Sequence, residues 1–382
     1  MDEMNNSSNI VDNNKSSNDP NGVSVRFLRK IYAFLSSVKL AIALLIIILV
    51  CCVAGVTIVR GERAGALIFG TLWFNGLLVL LVVNVAFCFF GRIWGRRVTL
   101  ISLGMILFHL SFVAMLCGIM YNSLFYFRGG IRLTEGESLP SGDPQSYDYA
   151  EHGRFFSFAK LKGETTLIKM HRDYSIDGAN KRAAYEIAVV AGRSKKQGVI
   201  YITHSMEHRG VQYLNDKEGY SVAIVLSDRK GRELYGAFVP LQSYKKKDEK
   251  GNEVYLYTTG TKELPGSFPF PQEPLSPLFS LQVTYQPSAL KFKEREGEAF
   301  LQVWPLASPG SAQGDEVVAS GKVPIGAKLS AGDHFLEARE VRYWVGMNVR
   351  YEPGKPIVLS SLWVGLGGMI MTFIGRMRKS GV

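Results

Sequence analysis

The chain has 382 residues, 47% of them hydrophobic, with 44 Lys+Arg against 33 Asp+Glu and a formal net charge of +11. Residues 122–355 hold 31 Lys+Arg and 28 Asp+Glu, a net of only +3, so the other +8 sits in the tails and short loops beside apolar runs. Basicity placed in that way orients a chain in a membrane and favours anionic headgroups; it argues against nucleic acid as a partner.

Residues 1–37 read as a cytoplasmic tail. The first 23 are rich in Asn, Ser and Asp and too poor in apolar residues to offset ordering entropy, and Arg26, Arg29 and Lys30 follow. Four uncharged apolar stretches come next or close the chain: Leu40–Val59, Ala64–Gly91, Val98–Phe127 and Ile357–Ile374. About 20 such residues, at 1.5 Å each, cross roughly 30 Å of hydrocarbon. The spacing predicts transmembrane helices over 38–59, 68–91, 98–121 and 356–375. Trp73 and Phe74 suit one interface and Trp94 the other. No small-x-small cleavage site follows the first run, and Ile48-Leu49-Val50 lacks the small residue that lipoprotein processing needs before Cys51, so this span reads as an uncleaved anchor.

Basic residues before span 1, between spans 2 and 3 (Arg92, Arg96, Arg97) and after span 4 (Arg376, Arg378, Lys379) place those segments inside. Both termini, including the tail 376–382, are then cytoplasmic, and residues 122–355 lie outside an inner (cytoplasmic) membrane.

That outer segment reads as strands. Ala183–Ala191, Tyr220–Ser227, Glu233–Val239, Val254–Thr258, Phe279–Tyr285, Phe300–Trp304 and Val341–Tyr351 are rich in β-branched and aromatic residues. Asp228-Arg-Lys-Gly231 is a hairpin turn signal, while Pro265–Pro277 and Ser308–Gly314 are breaks. No segment holds a helical period over a dozen residues. The fold class expected is four transmembrane α-helices plus a large β-rich, sandwich-like extracytoplasmic domain of about two layers.

All four cysteines (Cys51, Cys52, Cys88, Cys117) fall within the apolar runs, and there is neither Cys-x-x-Cys nor Cys-x-x-Cys-His. The chain is thus no thioredoxin-like redox protein and carries no covalent haem of the c type. His109, in Leu103-Gly-Met-Ile-Leu-Phe-His-Leu-Ser111, is the residue singled out. An ionisable group at mid-span is costly unless it faces a bundle interior or cavity. A neutral imidazole there can ligate haem iron or another metal; alternatively it is a helix-packing residue bonded to Asn84 or Ser111. His204 and His208 have i,i+4 spacing, which gives them a common face only on a helix, and they follow the strand-like Val199–Thr203. His152, His171 and His334 have no partner identifiable from sequence. No catalytic constellation is visible in the outer segment.

The order of several motifs resembles one family. These are Phe34-Leu-Ser-Ser-Val-Lys-Leu-Ala41, Leu72-Trp-Phe74 with Leu-rich sequence to Asn84, the His109 segment, and Tyr343-Trp-Val-Gly-Met-Asn-Val-Arg-Tyr-Glu-Pro-Gly-Lys-Pro356. From about Tyr32 to Arg376 the chain resembles the ResB-like (CcsB-like) proteins of cytochrome c maturation System II. Glu352 departs from the Asp expected before Pro-Gly-Lys but keeps the charge.

The resemblance implies a haem-handling subunit that works with a CcsA-like membrane protein, exporting haem b and presenting it to apocytochrome c, with a thioredoxin-like thiol reductase as a further possible partner. It implies His109 as a haem ligand. The tryptophan-rich haem segment would belong to the partner, since the five tryptophans here do not cluster. Independently of the resemblance, their charge and their position near the outer end of span 3 suit Arg128 or Arg132 to meet a haem propionate. Two competing readings remain open. One is a scaffold that holds apocytochrome or reductase without binding haem; the other is an envelope sensor or transporter accessory.

Overall fold

The computed structural model describes residues 29–59, 61–93, 99–181, 183–247, 253–260, 264–288, 294–306 and 317–380. The expected disordered tail (residues 1–23), Arg26, Trp94, Arg96, Arg97 and the break at 308–314 lie outside the described residues. The chain divides into two compact units, one of residues 1–124 with 353–382 and one of Phe125–Glu352.

The first unit is helical. Val38–Val59, Leu72–Phe89, Leu100–Phe125 and Lys355–Lys379 are each long and apolar enough to cross a membrane. They are named spans 1 to 4. Span 2 begins later than the apolar run suggests, because Gly65–Phe69 winds as a π-turn closed by Gly70 N–H on Gly65 O at 2.7 Å. Thr71 then caps the new helix by accepting from Phe74 N at 3.4 Å. Span 3 runs past residue 121 to Phe125.

Buried polar side chains fasten the chain ends of the spans. Asn84, fully buried in span 2, donates to Leu35 O (2.6 Å) and Ser37 O (3.1 Å), where the chain breaks before span 1. Ser37 O also accepts from Ala41 N at 3.2 Å, so Asn84 adds a second bond there and ties the chain break to span 2 in an apolar setting.

Spans 3 and 4 pack antiparallel along their length through small residues. A Cβ on Gly104 would stand 2.6 Å from Gly368 O, and one on Gly118 would stand 3.0 Å from Val358 Cγ2. A Cβ on Gly375 would meet Ile101 Cγ1 at 2.7 Å. Such close backbone approach is how helices associate where no hydrophobic force separates lipid from protein. Gly354, just before span 4, donates to Asn122 Oδ1 at 3.3 Å and is pressed against the Asn122 backbone.

The second unit is strand-rich and antiparallel. Its largest sheet has seven strands, ordered Glu233–Pro240, Val211–Asp228, His334–Tyr351, Phe127–Thr134 and Tyr147–His152, with Lys328–Ala331 and Met206–His208 pairing alongside. A six-stranded sheet carries Gln242–Lys247, Glu253–Thr258, Phe279–Gln286, Glu298–Trp304 and Ala319–Pro324, plus Phe268–Phe270. A four-stranded sheet orders Ser138–Pro140, Glu164–Arg172, Ala183–Ala191 and Ser194–Tyr201.

One core joins these three larger sheets: Phe127, Ile131 and Leu133 from the first, Leu281, Val283 and Leu301 from the second, Leu167, Tyr185 and Ile187 from the third. The expected β-rich, sandwich-like domain is thus built from several antiparallel sheets on a common core, with a further two-stranded ribbon at Ser175–Ile176 and Ala179–Asn180. The middle of the largest sheet is held by Trp344, 1% exposed, whose indole donates to Leu241 O at 2.9 Å. Its cross-strand partner is Gly219, where a Cβ would overlap the indole ring.

A candidate ligand histidine in span 3

His109 lies nine residues after Leu100, about 14 Å along span 3. Its side chain is half-buried. Nδ1 lies 2.8 Å from Met105 O, one turn back on the same helix. A carbonyl oxygen only accepts, so this bond requires the proton on Nδ1 and leaves the lone pair on Nε2. Among the described residues Nε2 has no hydrogen-bond partner. The ring stacks on Phe89 of span 2, centroids 4.2 Å apart and planes 20° apart, with Phe108 edge-on at 5.5 Å. An imidazole whose Nδ1–H is bound to backbone and whose plane is fixed by aromatic contact offers a directed Nε2 lone pair, the arrangement that metal-ligating histidines require.

The alternative in which His109 bonds Asn84 or Ser111 does not hold. Asn84 is spent on Leu35 O and Ser37 O. Ser111 donates to Phe108 O at 2.7 Å and packs beneath Gly365 of span 4. Both faced other duties that sequence spacing does not reveal.

Arg128 and Arg132 belong to the strand-rich unit, on Phe127–Thr134, rather than to the end of span 3. Arg128 pairs with Glu352 at 2.9 Å, and its guanidinium sits 5.8 Å from the Tyr126 ring. Arg132 pairs with Asp148 at 2.8 Å and lies 5.2 Å over Trp344. Glu352, noted for its departure from Asp, thus has the length to reach across the ladder to Arg128.

His204 and His208 sit on extended chain and share no helical face. His204 stacks on Tyr201 at 5.1 Å, whereas His208 ends the strand Met206–His208 and is 9% exposed. His171 bonds Glu186 across the sheet at 3.1 Å, a pair that no spacing rule could foresee without the strand register. Among the described residues no group of three or more His, Cys, Asp or Glu could hold a metal ion.

Sequence reasoning missed Asn75, which is 7% exposed at the head of span 2. It donates to Thr71 O (2.9 Å) and Ser123 Oγ (3.2 Å), while Oδ1 is buried without a partner among the described residues. A polar residue one turn inside an apolar run was the available signal.

None of the curated proteins matches the chain. The ResB-like family model, however, matches residues 94–380, three quarters of the length. That stretch holds span 3 with His109, the whole strand-rich unit, the Glu352–Lys355 junction and span 4, and on that match the chain belongs to the ResB-like family.

Proposed function

We propose that this protein is a cytochrome c maturation subunit that works with a CcsA-like membrane partner to carry haem b outward and present it to apocytochrome c. Family membership points to cytochrome c biogenesis as the process. Four helices long and apolar enough to cross a membrane make it a membrane protein. The observation that carries the finer reading is the His109 ring, with Nδ1 satisfied by Met105 O and Nε2 open. In this reading haem is cargo, His109 supplies one axial nitrogen to its iron, and the partner supplies the opposing ligand. A thioredoxin-like reductase keeps the apocytochrome thiols ready. Arg128 and Arg132 are assigned to the propionates only if they exchange Glu352 and Asp148 for them, so their part in the proposal is subordinate.

The test is the visible spectrum of the detergent-purified complex with its CcsA-like partner. Replacing His109 by Ala should abolish or shift the Soret band. An unchanged band would instead favour the scaffold reading, and normal c-type cytochromes in a deletion strain would sink both.

The proposal also places both termini in the cytoplasm and the strand-rich unit outside. Ser141 is a poor insertion point for a reporter, being 3% exposed and bonded to Thr165. The exposed turn at Lys230-Gly231, where Gly231 has φ +80, suits one better.

A further inference from the structure

The strand-rich unit contains two cavities of different electrostatic character. The larger, about 920 Å³, sets Arg132 and Arg342 against Glu135, Glu137, Asp143 and Asp148, so its charges are internally answered. The smaller, about 460 Å³, has no such balance: Lys160, Lys162 and Arg209 ring it, and no Asp or Glu lines it. Among the described residues neither lysine pairs with a carboxylate. Its floor is apolar, built from the buried Leu161, Val189 and Val211.

Two further observations mark this cavity as more than a basic surface. Arg209 sits in the turn between Met206–His208 and Val211–Asp228 with φ +52, a left-handed conformation that Gly or Asn adopts with far less strain. That strained position brings Nη1 to Ala191 O at 3.1 Å, another lining residue. His208 also lines the cavity and is 9% exposed, and its Nε2 is buried without a partner among the described residues. Burial first, then the charges of Arg209 and Lys196, lowers its pKa below the usual imidazole range. Buried polar nitrogens in folded proteins nearly always find a partner.

We propose that this cavity binds an amphipathic anion, an apolar body bearing a carboxylate or phosphate head. Lys160, Lys162, Arg209 and the His208 imidazole hold the head, and the Leu161, Val189 and Val211 floor takes the body. A pocket of a few hundred Å³ with an apolar floor and a few convergent polar groups is the usual form of a small-molecule site. The inference does not depend on His109 or on haem.

The test uses the full-length protein in nanodiscs of zwitterionic lipid. Octanoate and octyl phosphate are titrated calorimetrically, with octanol, inorganic phosphate and empty nanodiscs as references. At least one of the two amphipathic anions should bind above the empty-disc background, more tightly than octanol or inorganic phosphate. Arg209→Gly relaxes the turn, so its melting temperature should hold or rise while affinity falls about tenfold, the scale of one lost charge-assisted bond. Lys160→Gln with Lys162→Gln should weaken binding similarly, and His109→Ala should leave it intact. Nanodiscs containing anionic phospholipid separate the sources: competition identifies a lipid head, and unaltered binding identifies a free solute. No binding above background, or native affinity in both the Arg209 and lysine variants, would overturn the proposal. Inorganic phosphate binding as tightly as octyl phosphate would overturn its apolar half.

Discussion

Gly354 illustrates what a single missing side chain accomplishes in this protein. It sits where the chain turns from strand to span 4, against Asn122 of span 3, and a Cβ there would come within 2.6 Å of Asn122 Cβ and 2.9 Å of its nitrogen. Neither backbone can retreat without disturbing the helix pair. Gly354→Ala should therefore destabilise by about 1–3 kcal/mol, the usual cost of overpacking. Gly367, flanked by the crowded Gly365 and Gly368, itself has nothing within 4 Å of its Cβ position. Gly367→Ala should be neutral or stabilising by about 0.5–1 kcal/mol through helix propensity. Thermal unfolding of both variants in detergent checks the pair, and equal melting temperatures would contradict the packing account. The same scale explains why His109 was legible and its surroundings were not. An ionisable residue in an apolar run stands out in one dimension, whereas Phe89 lies 20 residues away and is one aromatic among many. The Met105 carbonyl that sets the tautomer belongs to every helix of that length.

At the scale of elements, spans 3 and 4 are a matched pair. Gly104 faces Gly368 and Thr372, Ser111 faces Gly365, and Gly118 faces Ile357 and Val358, so small residues line the contact in antiparallel order. Gly104→Leu should wedge the helices apart and lower the melting temperature by several degrees, with a cost of about 1–3 kcal/mol. A normal melting curve would mean that the two helices separate freely. Strands were legible where one face is buried and the other is not. Phe279–Gln286 alternates buried residues with half-buried or exposed ones in strict order, as does Glu298–Trp304. Phe127–Thr134 escaped notice because it follows span 3 with only Tyr126 between, so an apolar run of period 3.6 merges into one of period 2 without punctuation. Val211–Asp228 and His334–Tyr351, 18 residues each, were recognised only in part. Their outer halves carry charged residues at positions that the neighbouring strands, rather than the local sequence, make extended.

For the whole molecule, the membrane spans and the strand-rich class follow from composition and periodicity. The grouping of strands into separate sheets does not, since it depends on pairings such as Val211 with Tyr351, 140 residues apart. Orientation is the prediction that belongs here. An alkaline phosphatase domain inserted at Lys230-Gly231 should be active, and one fused after Ser380 inactive; the reverse pattern would invert the topology. The basic loops that set this expectation are read from sequence, and the positive-inside rule links them to the membrane.

Phe127 and Tyr351 are directly opposite each other in one antiparallel ladder, and they stand near the two ends of the strand-rich unit. Paired strands run about 5 Å apart. The 228-residue unit is therefore a graft whose two severed ends already touch, set into a helical hairpin that needs its own ends close together. Such an arrangement is modular: a short bridge could join Leu124 to Pro353 and leave the hairpin intact, while residues 125–352 could be released or circularised with a few residues of linker. A lineage carrying this chain can exchange what its hairpin displays without rebuilding what crosses the membrane.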